Sequence, residues 1–213
     1  MYLIYITYVV PLTVTVPLII ALLKYKQLGA EYLLLFYYLL VSFFTNAAAI
    51  TLAESGVNNL PLLHLFTLVE GVLLLFFYQK NLTHVLNKYL FLLLAALFVV
   101  FCLINSLFIQ ALYTFNTYSR SAEAVLIIFL ALTCFYTSLG ENNRENWNKQ
   151  PLILINIGLL LYFSSSLLLF LFSQVLLANQ EINIIVWVIH ATIVMIMYFF
   201  FAWAFLQYKK TAS

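Results

Sequence analysis

Aspartate is absent from this sequence of 213 residues, and charge of either sign is scarce: 8% of residues are charged, with 9 Lys and Arg against 7 acidic residues, all Glu. A soluble domain carries roughly 25% charged residues. With 66% hydrophobic residues, no fold of this size hides its apolar surface from water, so lipid is the solvent for most of the chain. The net charge is only +2 and the basic residues sit in short loops, which excludes the continuous basic stripe of a nucleic-acid binder. Cysteine is limited to Cys102 and Cys134, both inside apolar stretches at opposite depths. A disulfide framework needs closely spaced pairs in an oxidising aqueous phase, so both are expected to be small buried fillers. The N-terminus lacks the basic segment and small-residue cleavage site of a signal peptide, and the chain is expected to enter the membrane directly from Met1.

The most informative stretch is Leu60 to Gln79, LPLLHLFTLVEGVLLLFFYQ. It is long enough to cross the roughly 30 Å of hydrocarbon and carries His64 near its start and Glu70 further in. A carboxylate at such depth costs several kcal/mol unless paired or neutralised, so neighbouring helices must supply partners. Spans of similar length recur at about 2–23, 32–53, 61–79, 89–108, 119–139, 152–174 and 184–208. The fold expected is therefore all-α, a single domain of seven transmembrane helices. Pro11 and Pro17 are expected to disturb the first span, and Pro61 and Pro151 to open the third and sixth. The segment IQALYTFNTYSR reads as a turn at the interface, and GENNRENWNKQP is the longest polar connection.

Orientation follows from the basic residues. Lys24, Lys26, Lys80, Lys88, Arg144, Lys149, Lys209 and Lys210 fall in the odd loops and the tail, while Arg120 alone falls on the other side. Such a bias in short loops places those loops and the C-terminus in the cytoplasm and the N-terminus outside. His64 then lies about one turn below the outer surface and Glu70 about 9 Å deeper, about 120° apart around the helix. Asn46, Asn105, Arg120, Glu123 and His190 share the outer half, and Gly71 would let another helix approach. The inner half holds less: Asn156, Ser164 to Ser166 near the midplane, and the hydroxyls of Thr133, Ser138 and Tyr162. The candidate polar network is thus Asn46, His64, Glu70, Asn105, Arg120, Glu123 and His190, with a pocket expected among Asn46, His64, Glu70, Glu123 and His190.

Each candidate also has a plainer role. Arg120 and Glu123, three residues apart, are suited to a local ion pair or to snorkelling. The two histidines suit neutral rings bonded to carbonyls. Glu70 suits a protonated or hydrogen-bonded packing role, unless it faces a cavity or a partner. Two histidines and two glutamates could ligate zinc, but no HExxH or comparable spacing occurs and no metal is expected. A retinal protein needs a lysine in the last span, and Ile184 to Gln207 has none. Most of the 15 Tyr and 20 Phe are expected at the lipid or in the interfacial belts, Trp187 near the outside and Tyr78 near the inside among them. The third and seventh spans, LPLLHLFTLVE and VWVIHATIVM, both place a histidine about four residues in, the trace expected of an internal repeat.

The segments LLHLFTLVEGVLLLFFY, FNTYSRSAEAVLIIFLAL, PLILINIGLLLYFSS and VWVIHATIVMIMYFFFAW resemble a group of small, uncharacterised seven-helix membrane proteins of Bacteroidetes-type bacteria. More loosely, the layout is similar to the seven-helix sensor modules that precede histidine kinases, although only KKTAS follows Tyr208 and no output domain is expected. The resemblance implies a multi-pass protein of the bacterial inner membrane and no defined activity or cofactor. The expected function is non-enzymatic: a receptor-like or sensory module, or an accessory subunit of a larger membrane complex. A proton-coupled small-solute carrier and an intramembrane metal-dependent hydrolase are the rivals. Besides the lipid bilayer, the partner expected is a membrane or cytoplasmic protein, met through the Gly140 to Pro151 loop or through helix faces.

Overall fold

The computed structural model describes residues 2–140, 150–173 and 179–209. Seven helices are long and apolar enough to cross a membrane: α1 (Tyr2–Leu23), α2 (Ala30–Glu54), α3 (Leu60–Leu82), α4 (Lys88–Ile109), α5 (Thr117–Gly140), α6 (Pro151–Leu171) and α7 (Gln180–Gln207). Among the described residues there is no strand. The build is that of a multi-pass membrane protein, with successive helices running up and down.

Where the helices start and stop has local causes. Pro61 and Pro151 lie in the first turns of α3 and α6, where a missing N–H costs nothing. Asn87 and Asn179 cap α4 and α7, their side chains accepting from the N–H groups of Tyr89 and Ile182. The polar letters Gln79 to Asn81 do not end α3, which runs on to Leu82, because the backbone ladder continues wherever side chains can reach the interface. The irregular helix is α1. It widens into a π turn over Tyr5–Val9 and breaks near Thr13. Pro11 and Pro17 leave carbonyls without their usual donors. Thr13 O, freed by Pro17, accepts from Val16 N at 3.1 Å, and at the break the Thr13 and Thr15 hydroxyls donate to Val10 O and Leu12 O at 2.6 and 2.7 Å.

α1 packs against α2 and α7, α2 against α3, α3 against α4 and α5, α5 against α6, and α6 against α7. α6 is the most enclosed, with 56% of its apolar stretch buried against 22% for α1, α4 and α7. α4 rides on the outer side of α3. That contact needs Gly71: a methyl there would overlap the ring of Phe98 on α4. Gly71→Ala is expected to lower stability in detergent by about 1–3 kcal/mol, the usual cost of overpacking. Trimming the ring in a Gly71→Ala/Phe98→Leu double variant should restore the melting temperature, and failure to do so would mean that the ring is not what the methyl strikes.

Two ends of the bundle are distinct. At the N-terminal end Tyr8 donates to Glu54 at 2.7 Å and Asn58 reaches Tyr113 O. At the opposite end Lys24 donates to Leu206 O and Tyr208 O at 2.8 and 3.2 Å, closing the last turn of α7. Lys26, Lys80, Lys88 and Lys209 belong to that end by the course of the helices. The polar connection expected to dock a partner, with Arg144, Trp147 and Lys149, falls at 141–149 and lies outside the described residues, as do Gln174 and Lys210.

Candidate functional site

The first turn of α5 delivers Arg120 into the bundle. Its Nη1 donates to Glu70 on α3 and to Glu123 one turn along α5, the latter at 2.8 Å, and its Nη2 donates to the Tyr162 hydroxyl on α6. Glu70 and Glu123 are 0% exposed and Arg120 5%. The guanidinium also stands 5.6 Å from the ring centroid of Phe66 and 5.7 Å from that of Tyr162. Three helices are therefore tied at one point. Buried ion pairs of this kind fix geometry more than they add net stability, because desolvation consumes much of the attraction. The local pair with Glu123 exists, but Arg120 does not snorkel; it turns inward. One guanidinium faces two carboxyl groups, so the cluster has no surplus positive charge.

The remaining candidates divide into two groups. His64 and Asn105 belong to a fastening at the N-terminal end. His64 Nε2 lies 3.0 Å from Thr114 O, and Nδ1 lies 2.8 Å from Ser106 Oγ. A carbonyl only accepts, so Nε2 carries a proton and donates it to Thr114 O. Asn105 donates to Gln110 and Ser119 at 3.1 and 3.0 Å, and Asn116 donates to Thr67 at 2.7 Å. The segment expected to be an interfacial turn is an exposed turn over 111–115 that is fastened to the bundle at two points: Asn116 is fully buried, and Thr114 O accepts from a ring on α3.

Asn46, Arg120 and His190 line a cavity of about 330 Å³ in the same half of the bundle. Of the residues expected in the pocket, Glu70, Glu123 and His64 do not line it: the carboxylates are bonded to Arg120, and His64 is bonded to Ser106 and Thr114. His190 bonds to Ser165 on α6 at 2.9 Å and stacks on Tyr162, with centroids 5.7 Å apart. The histidines at matching places in α3 and α7 therefore have different partners and different surroundings.

Sequence reasoning missed much of the wall. Trp187 lines the cavity with His190, Ala191, Val194 and Tyr198, where an interfacial belt position was expected. Those α7 positions are spaced i, i+3, i+4, i+7 and i+11, one helical face. On α2 the lining residues Tyr38, Ser42, Thr45, Asn46 and Ala49 show a similar stripe of small and polar letters. That periodicity was the available signal. Tyr162, expected in the inner half, instead reaches the Arg120 cluster.

Beyond the cavity, toward the lysine-rich end, the bundle is filled. Leu35, Leu39, Leu74, Leu159, Phe163 and Phe201 are completely buried. Tyr78, expected at the interface, donates to Asn156 Oδ1 at 2.9 Å inside the core, and Asn156 Nδ2 donates to Cys134 Sγ at 3.2 Å and Leu152 O at 2.9 Å. Tyr78 and Asn156 are thus satisfied by neighbours, and the network locks α3, α5 and α6 together. Cys102 and Cys134 are buried free thiols. Among the described residues, no three His, Cys, Asp or Glu side chains gather as metal donors.

Fold and site together define a seven-helix membrane bundle with a cavity among the helices at its N-terminal end. No protein-family model, curated protein or solved structure matches the chain.

Proposed function

We propose that the chain is a receptor-like, non-enzymatic module of the bacterial inner membrane that holds a small molecule from the outer side, with its N-terminus outside and its C-terminus in the cytoplasm. The basic residues at the opposite end support that orientation. The observation that carries the reading is the cavity: about 330 Å³, lined by Asn46, Arg120, His190 and several aromatic rings, and closed below by packed side chains. Its size is at the lower end of the roughly 300–1,000 Å³ of small-molecule sites. The Arg120 cluster holds α3, α5 and α6 in one arrangement beside it, so a ligand that leans on Arg120 or Tyr162 would act on three helices at once. A carrier would need a polar continuation toward the cytoplasm, and the Tyr78–Asn156–Cys134 lock and the leucine and phenylalanine layer occupy that space. The resemblance to seven-helix sensor modules agrees with this reading.

The test is what the protein carries with it. Purified from bacterial membranes in mild detergent and then denatured, the parent should release a small molecule in near-equal amount to protein, detected by mass spectrometry. Ala191→Phe, which fills the cavity from α7 and leaves every residue of the Arg120 cluster in place, should lose that molecule while melting within about 1.5 kcal/mol of the parent. Equal recovery from both proteins, or none from the parent, would defeat the reading.

A further inference from the structure

A second hollow, of about 470 Å³, lies at the N-terminal end beside the cavity. It is bounded by the α4–α5 connection and the facing ends of α6 and α7. The two spaces share three lining residues, Leu60, Phe115 and Trp187. The rings of Phe115 and Trp187 stand 6.3 Å apart at 38°, and with Leu60 they form the partition between the two spaces. The outer hollow carries Gln110, Thr114, Thr117, Ser173 and Asn183, neutral hydrogen-bonding groups suited to water. On the other flank, α1 is pinned to both neighbours. Tyr8 donates to Glu54 on α2 at 2.7 Å, and Tyr5 meets Thr192 on α7 at 2.9 Å. Two hydrogen bonds thus hold α1 on that flank, and among the described residues Leu60, Phe115 and Trp187 stand between the vestibule and the cavity.

We propose that the ligand reaches the cavity from water, through this vestibule and past Phe115 and Trp187, and that it is an uncharged small molecule with a flat ring. The inference rests on the ligand-binding reading above and adds its route and its chemical class. Apart from Arg120, no Lys, Arg or Glu among the described residues lines either space. The Arg120 charge is opposed by Glu70 and Glu123 directly behind it, so an anion meets no surplus positive charge, while a cation meets the guanidinium first. Neither recovers the cost of leaving water for a cavity of this kind. An uncharged molecule escapes that cost and still finds Asn46 and His190 for its polar edge. The rings of Phe66, Tyr162, Trp187 and Tyr198 on the wall offer faces and edges to a planar ligand.

The experiment uses thiol reagents in place of the ligand. Cysteine is introduced at Ala191, on the cavity wall, and separately at exposed Asn58 as a reference, and intact cells are treated from outside. The parent, whose two thiols are buried, sets the background. Three methanethiosulfonates are compared: neutral hydroxyethyl, cationic trimethylammonioethyl and anionic sulfonatoethyl. Relative to Asn58→Cys, the neutral reagent should modify Ala191→Cys about tenfold faster than either charged one. Adding Asn183→Trp, which obstructs only the vestibule, should slow the neutral reagent by about tenfold and leave Asn58→Cys unaffected. An anionic reagent as fast as the neutral one would overturn the ligand class. An Ala191→Cys rate indifferent to Asn183→Trp, or no reaction with any of the three, would overturn the route. If Asn58→Cys itself resists all three, the orientation is wrong and the proposal goes with it. The molecule recovered from the purified protein tests the underlying reading independently of these rates.

Discussion

Arg120→Met is expected to cost about 3–5 kcal/mol of stability in detergent, more than other single substitutions in the bundle, because it leaves buried carboxylates without their cation. The geometry sets the size. Arg120 is the shared donor to Glu70 on α3, Glu123 on α5 and Tyr162 on α6, and both carboxylates are completely buried. Methionine fills comparable space, so the loss is electrostatic and not a cavity effect. The check is thermal melting, read together with the triple variant Arg120→Met/Glu70→Leu/Glu123→Leu. Removing the carboxylates along with the guanidinium should recover most of the stability, since a buried ion cluster replaced whole by apolar side chains is often neutral or better. An Arg120→Met protein that melts with the parent would show that the cluster is not under electrostatic tension.

Length and hydropathy were enough to find seven spans, because a hydrocarbon slab filters sequences for uninterrupted apolar runs of about 20 residues. They were less informative about ends. α3 continues through Gln79 and Asn81, and α7 begins at Gln180, since polar side chains at a helix end extend into the interface without breaking the backbone ladder. Glu70 stood out for a physical reason as well: a carboxylate deep in hydrocarbon demands a partner. Which partner was another matter. Glu123 lies three residues from Arg120 and satisfies it locally, so nothing in the spacing required Arg120 to reach across 50 positions to α3 as well.

The aromatic residues show where sequence reading fails in a membrane bundle. In a soluble helix the apolar stripe marks the inward face. Here lipid-facing and core-facing sides are both apolar, so Tyr78 and Trp187 read as belt residues although each faces the interior. The inward face is marked instead by its small and polar letters, as in Tyr38, Ser42, Thr45, Asn46 and Ala49 on α2. His64 shows the complementary failure. A histidine in a span suggests a site, but one ring nitrogen is occupied by Ser106 in the last turn of α4 and the other by Thr114 in the α4–α5 connection, both remote in sequence.

The two carboxylates should prove interchangeable singly and indispensable together. Glu70→Gln leaves one guanidinium and one carboxylate, a balanced pair, and keeps an oxygen to accept from Nη1; the expected cost is about 1 kcal/mol or less. Glu123→Gln should behave alike, since its carboxylate accepts from the same nitrogen. Glu70→Leu removes the acceptor as well and should cost about 1–3 kcal/mol, with Arg120 still held by Glu123 and Tyr162. Glu70→Gln/Glu123→Gln leaves the guanidinium buried with no counter-charge, and its cost should rise to about 3–5 kcal/mol. The double variant therefore exceeds the sum of the singles, with a coupling of about 1–3 kcal/mol in a double-mutant cycle. The four proteins are compared by melting in the same detergent at one pH. Costs that add to within about 0.5 kcal/mol would mean that each carboxylate acts alone, and that charge balance at Arg120 does not govern how α3, α5 and α6 are held together.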